Sequence, residues 1–429
     1  MKIKFAWLCV MTMILLGGCG AVEAEEPVVL EEAVYIEDIA ETPTPTPEPT
    51  PSPTPFPEYD IELMMVGDNL LHMGIINSGK QEDGSLNYDF LFEDIAPFLE
   101  AAEISLINQE TIFGGNELGF SGYPEFNSPT QVGDAIVKAG FDVVLFASNH
   151  AADKGFTGIE NCLTFWEENY PETIVTGIQK EAEEENEIHV MEIDGITFAF
   201  LNYTYGPNIE TVPKEVRGKL DLLCACNEKN GRMDYTTLNP QVVEDIKRAD
   251  EMADYVIVCP HWGTEYTKKP SGYQEKFAME MTAAGADIII GTHPHVVQPI
   301  QWIEAENGNK SLCYYSLGNY VSTQKGPFSM LEGMAWISIH VTEDSHYINE
   351  ERTGVVPLVN QYSAFPVRFE GVHLLEEYTE ELAAEHGIKK YGEVTFSLGD
   401  VAVPSEEIFG DWVLTRQEVL GEKIEGNVY

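Results

Sequence analysis

The chain has 429 residues, 44% of them hydrophobic, which is enough for a sizeable core and for one large or two ordinary domains. It carries 72 Asp and Glu against 24 Lys and Arg, a formal net charge of −48 at pH 7, and that field excludes a nucleic-acid-binding role. The 19 Tyr, 20 Phe and 6 Trp exclude whole-chain disorder.

Lys2 and Lys4 precede an apolar run from Phe5 to Leu16, the order of a secretory signal peptide over residues 1–18. The run is too short for a comfortable membrane span. It ends in Leu16-Gly17-Gly18-Cys19, which resembles the bacterial lipobox. That resemblance implies acylation of Cys19 and a lipid anchor on the outer face of the bacterial cytoplasmic membrane. Each buried methylene of such an anchor contributes about 0.8 kcal/mol. Residues 19–58 read as a linker. Residues 20–41 hold eight acids and no Lys or Arg, and Thr42–Pro57 reads TPTPTPEPTPSPTPFP. Proline at every second position excludes helix and sheet interior. It predicts an extended stalk of about 3.1 Å per residue, roughly 50 Å in all. Beyond Cys19 the chain has Cys162, Cys224, Cys226, Cys259 and Cys313, an odd set that predicts no complete disulfide framework. Cys224-Ala225-Cys226 lacks a second pair at zinc-site spacing.

From Tyr59 the pattern alternates. Ile61–Val66 predicts a strand ending at Gly67-Asp68-Asn69, Phe90–Ala102 a helix, and Ile104–Ile107 a strand ending at Asn108-Gln109-Glu110. Pro129–Ala139 predicts a helix, Val143–Ala147 a strand running into Ser148-Asn149-His150, and Gly158–Glu168 a helix. Ile188–Ile193 and Ile196–Leu201 flank Asp194-Gly195, the strongest hairpin signal in the chain. Pro240–Ala253 predicts a helix, and Tyr255–Cys259 a buried strand ending at His261. Tyr273–Ala284 predicts a helix, and Asp287–Ile290 a strand ending at His293-Pro294-His295. Cys313–Ser316 ends at Asn319. Strands alternating with helices predict an α/β domain.

One regularity matters most. Asp68, Glu110, Asn149, His150, His261, His293, His295 and Asn319 all fall just past the C-terminal end of an apolar strand, the edge at which α/β sheets bind ligands. Imidazole, carboxylate and amide oxygen suit Zn, Mn or Fe. A bridging carboxylate holds two such ions about 3.5–4 Å apart, which activates water and stabilises the oxyanion that forms on attack.

These motifs, in this order, resemble the CapA family, the capsule and poly-γ-glutamate biosynthesis proteins also called PgsA, which is similar to the calcineurin-like metallophosphoesterases. The resemblance covers roughly residues 60–325. It implies a sandwich of two mixed β-sheets flanked by helices over 59–325. Beyond it, Met334–Val341 and Val367–Leu374 predict strands, and 326–429 reads as sheet-completing strands and an acidic extension packed on the domain. The resemblance implies two divalent ions, the first on Asp68, Glu110 and His295, the second on Glu110, Asn149, His261 and His293, with His150 as the acid near the leaving group. Asn108, Glu265 and Asn319 are expected to orient ligands. The superfamily's opening Asp-x-His is absent, and His72, four residues after Asp68, reaches the site only if the chain turns helical there. Metal number and identity stay open.

The resemblance further implies synthesis, export, anchoring or trimming of an anionic polymer, poly-γ-glutamate, with a membrane-bound polymer synthase as a partner. Two alternatives stand beside metal-dependent hydrolysis: a non-catalytic accessory of that synthase, and a general envelope phosphodiesterase. The charge opposes tight binding of a long polyanion, unless divalent cations or the Lys268-Lys269 pair offset it.

Overall fold

The computed structural model describes residues 56–182, 186–390 and 394–421. The signal peptide, Cys19 and nearly all of the linker lie outside the described residues. In chain order the strands are β1 (Tyr59–Asp68), β2 (Ile104–Asn108), β3 (Val143–Leu145), β4 (Ile174–Thr176), β5 (His189–Ile193), β6 (Ile196–Thr204), β7 (Cys224–Cys226) and β8 (Met233–Leu238). They continue with β9 (Tyr255–His261), β10 (Ile288–Ile290), β11 (Val297–Glu304), β12 (Lys310–Leu317), β13 (Leu331–Val341), β14 (His346–Ile348), β15 (Gly354–Ser363) and β16 (Arg368–Leu374).

Two mixed sheets result, flanked by helices as expected. The first runs β16-β15-β13-β1-β2-β3-β4, with β14 paired to β13. The second runs β11-β12-β10-β9-β6-β5, and β7-β8 stand as a separate ribbon. Within each sheet the strands that carry the polar ends are parallel: β1 to β4 in the first, and β6, β9, β10 and β12 in the second. Their C-terminal ends therefore face the same way.

The sheets pack face to face. Along β9, Tyr255, Ile257 and Cys259 join the main core, whereas Val256 and Val258 join a second cluster with Val242, Ile246, Phe277 and Met281. That is the two-residue alternation of a strand with both faces buried. Cys259 Sγ meets Met65 Sδ of β1 at 3.8 Å across the interface. The second cluster lies under helices Pro240–Asp250 and Gly272–Ala284. The latter begins in a capping box between Ser271 and Gln274.

Several local expectations change. Phe90–Ala102 is not one helix: Asp89–Leu91 forms a 3-10 turn and the helix is Ala96–Ala101. Pro97 has no N–H to bond backward, so it starts the helix there. The hairpin is present, with φ of 49° at Asp194 and 88° at Gly195, the positive values that a type I′ turn needs. The strands after 325 complete the first sheet from within rather than only at its edge. β13 is antiparallel to β1 from Tyr59↔Val341 to Met65↔Ala335 and so sits inside the first sheet.

Candidate metal centre

The strand register sets the site. Asp68 pairs with Asn108, Asn108 with Leu145, and Thr204 with His261, while a bridge joins His261 to Thr292. Asp68, Glu110, Asn149, His150, His261, His293 and His295 are all buried and converge on one region.

Asp68 closes β1. Its Oδ1 accepts from Asn108 Nδ2 at 2.8 Å and its Oδ2 from the His293 backbone N–H at 3.2 Å. His261 Nδ1 lies 3.6 Å from Oδ1, and His295 Nδ1 lies 3.4 Å from Oδ2. Glu110 follows β2. His261 Nε2 and His295 Nε2 stand 3.9 and 3.8 Å from its Oε1. Yet neither Glu110 oxygen accepts a hydrogen bond among the described residues, and His293 Nδ1 and Asn149 Nδ2 are also unpartnered. A buried carboxylate with no donor costs several kcal/mol unless something compensates. The donor atoms of Asp68, Glu110 and His295 all lie within 4.8 Å of one another, as do those of Glu265, His293 and His295. Those atoms, carboxylate and imidazole, are the donors that a Mn, Zn or Fe site takes.

Electrostatics agree with the packing. Burial pushes Glu110 well above the carboxylate range; Asp68, Glu265 and Asp153 add to the push and His295 opposes it. Burial also holds His261 and His293 well below the usual imidazole value, aided by neighbouring histidines. These two are therefore neutral, the form that ligates. Burial works against protonation of His295 too, but the Glu110, Asp68 and Glu265 carboxylates outweigh it and lift the group to about 9. The His-Pro-His turn is strained: φ is 96° at His293 and 56° at His295, a region that residues other than glycine seldom adopt.

The supporting residues come from several elements. Asn149 Oδ1 lies 2.8 Å from His261 Nε2, and Thr292 Oγ1 lies 3.0 Å from His261 Nδ1. Asn319 Oδ1 meets His295 Nδ1 at 2.9 Å. His150 Nδ1 pairs with Asp153 Oδ2 at 2.7 Å, and its Nε2 faces Asn208 Nδ2 at 3.3 Å. His72 stands nearby but in neither donor cluster. Its Nδ1 accepts from the Thr323 N–H at 3.5 Å, its ring meets Phe126 edge-on, and burial with His295 and His150 lowers it to about 4.

Sequence reading missed Asp153, Asn208 and Thr292. Asp153, three residues after His150, was discoverable by spacing. Asn208 follows β6, which runs three residues beyond its expected end. The segment after 325 also reaches the site: Asn360 Nδ2 donates to the Asn319 carbonyl at 3.3 Å and to the buried Glu332. Burial, then Asp68, pushes Glu332 well above its ordinary value.

Fold and site together define an α/β protein with a histidine–carboxylate centre suited to divalent cations. The chain belongs to the bacterial capsule synthesis protein PGA_cap family, whose model matches residues 62–324. It is 32% identical to the PGA biosynthesis protein CapA of Bacillus subtilis (strain 168) over 185 residues, 43% of either chain. It is 26% identical to the capsule biosynthesis protein CapA of Bacillus anthracis over 317 residues, 72% of this chain and 69% of that one. Among solved structures it matches a hypothetical protein from Thermus thermophilus at 15% identity and a TM-score of 0.37, over 67% of this chain and 99% of that one. It matches the 5'-nucleotidase of Candida albicans at 9% identity and a TM-score of 0.36, over 69% and 51%. Likenesses that loose carry no residue role across.

Proposed function

We propose that this chain is an exported, Cys19-anchored lipoprotein that hydrolyses a bond in an anionic capsule polymer, poly-γ-glutamate, beside a membrane-bound synthase. One observation carries the hydrolytic reading: Glu110 is buried with both oxygens unpartnered, between His261 and His295 and near Asp68. Divalent cations held by Asp68, Glu110, Asn149, His261, His293 and His295 would compensate that carboxylate and supply Lewis acidity toward water and the developing oxyanion. The chain's own groups do the rest. Asn108 and the His293 N–H fix Asp68, while Asn319 and Thr292 fix the two imidazoles. Asp153 holds His150 through Nδ1, which leaves Nε2, now 3.3 Å from Asn208 Nδ2, as the atom that would protonate a leaving group.

The test is metal content by mass spectrometry on the full chain in detergent, purified without chelator, beside Asp68→Ala/His293→Ala. Near two equivalents of Mn, Zn or Fe, lost in a folded variant, is the expected result. No metal in the wild type, even after reconstitution, would sink hydrolysis and favour a non-catalytic accessory of the synthase.

A further inference from the structure

Glu265 follows β9 on the loop Trp262-Gly263-Thr264-Glu265-Tyr266. Two backbone bonds lock this loop against the His-Pro-His turn. The Trp262 N–H donates to the Thr292 carbonyl at 3.0 Å, and the Tyr266 N–H donates to the Pro294 carbonyl at 2.7 Å. The loop needs left-handed backbone to do so, with φ of 98° at Gly263 and 60° at Tyr266. Its carboxylate, alone in the two donor clusters, is exposed; the other members are buried. The nearby His293 Nδ1 is buried and has no partner among the described residues.

We propose that Glu265 is itself a metal ligand, joining His293 at the second subsite beside the one formed by Asp68, Glu110 and His295. This rests on the metal-centre reading above. The side chain sits on the open rim of the pair, and a third carboxylate makes the donor set harder. That composition favours Mn²⁺ or Fe²⁺ over a histidine-dominated zinc site. The Tyr266–Pro294 bond holds the backbone beside Glu265 at the turn whether or not an ion is bound.

The experiment uses the full chain in detergent and Mn²⁺ alone as the probe. Mn²⁺ binding is followed by equilibrium dialysis and by electron paramagnetic resonance, in wild type, Glu265→Gln and Glu265→Asp. Removing a residue that only orients ligands weakens metal binding roughly 10–100-fold, so a lost ligand must exceed that range. The wild type should take two ions per chain with a spin-coupled spectrum. Glu265→Gln should keep one ion tightly, lose more than about 100-fold in affinity for the other, and show an uncoupled six-line spectrum. Glu265→Asp should restore part of the coupling. Two ions in Glu265→Gln with less than that loss would overturn the proposal while leaving the metal centre intact. No Mn²⁺ in the wild type would instead remove the centre itself, and Glu265 with it. Glu265 is exposed, so the metal-free variants should melt with the wild type and report on binding rather than folding.

Discussion

Asn149 Oδ1 stands 2.8 Å from His261 Nε2, although Asn149 follows β3 of the first sheet and His261 ends β9 of the second. The contact spans the seam between the sheets and places two donors side by side. Asn149→Ala and His261→Ala should each weaken Mn²⁺ binding about 100-fold or more while far-ultraviolet circular dichroism stays unchanged. Unchanged Mn²⁺ affinity in both would remove them from the ligand set.

His150 and Asp153 make a separate prediction. A group that protonates the leaving atom matters most where that atom leaves poorly. His150→Gln should lower kcat about tenfold on γ-glutamyl-p-nitroanilide with Mn²⁺, but about a thousandfold on a γ-linked glutamate oligomer. Asp153→Asn should show the same ordering with smaller losses, since it only holds the ring. Equal losses on the two amides would refute the acid role.

Gly291 makes a close approach in the site's scaffold. A Cβ there would lie 2.3 Å from Trp262 Nε1 and from the Tyr315 carbonyl oxygen, which are hydrogen-bonded to each other. Gly291→Ala should lower stability by about 1–3 kcal/mol, read from urea midpoints.

His386 gives a pH dependence away from the metal centre. It is fully buried, its Nε2–H donates to the Asn360 carbonyl at 2.9 Å, and its Nδ1 accepts from the Ile388 N–H. Burial lowers its pKa to about 4, the bond to Asn360 opposing. The unfolded imidazole takes its proton near pH 6.5 and the folded one only near 4, so folding loses stability as pH falls through that window. His386→Gln retains a donor for Asn360 and cannot titrate. The stability gap between wild type and variant should shrink by about 3 kcal/mol between pH 7.5 and pH 4. A gap that does not change with pH would show that His386 is not the titrating group.

The match to the family model ends at residue 324, but the first sheet does not. A chain ending at 325 leaves β1 without β13 along seven paired residues, exposing Leu63, Met64 and Met65. It should aggregate rather than fold, as judged by light scattering. A soluble, cooperatively melting fragment would contradict this.

Much of this site was readable as strand ends. Continuous apolar runs such as Tyr255–Cys259 mark parallel strands buried on both faces, and the polar residue that ends each run marks the ligand edge. What escaped was whatever lacks that contrast. β7 and β8 are short and polar on the outside, and β11 carries Gln298, Pro299 and Gln301, which break its apolar run. The place of β13 depends on pairing between residues 270 or more apart, which no local pattern encodes. Glu265 was expected to orient ligands. Its position depends on two backbone bonds to a distant turn, and these are invisible in the chain's own spacing.

The seam has a thermodynamic side. Asp68, Glu110 and Asn149 hang from one sheet, and His261, His293 and His295 from the other. An ion gripped by both halves would act as a cross-link that exists only in the folded state. Its binding free energy would then appear as resistance to unfolding, about 2.7 kcal/mol at a hundred times the Kd. The melting temperature would follow the free ion concentration, and durability would be set partly by the surrounding medium.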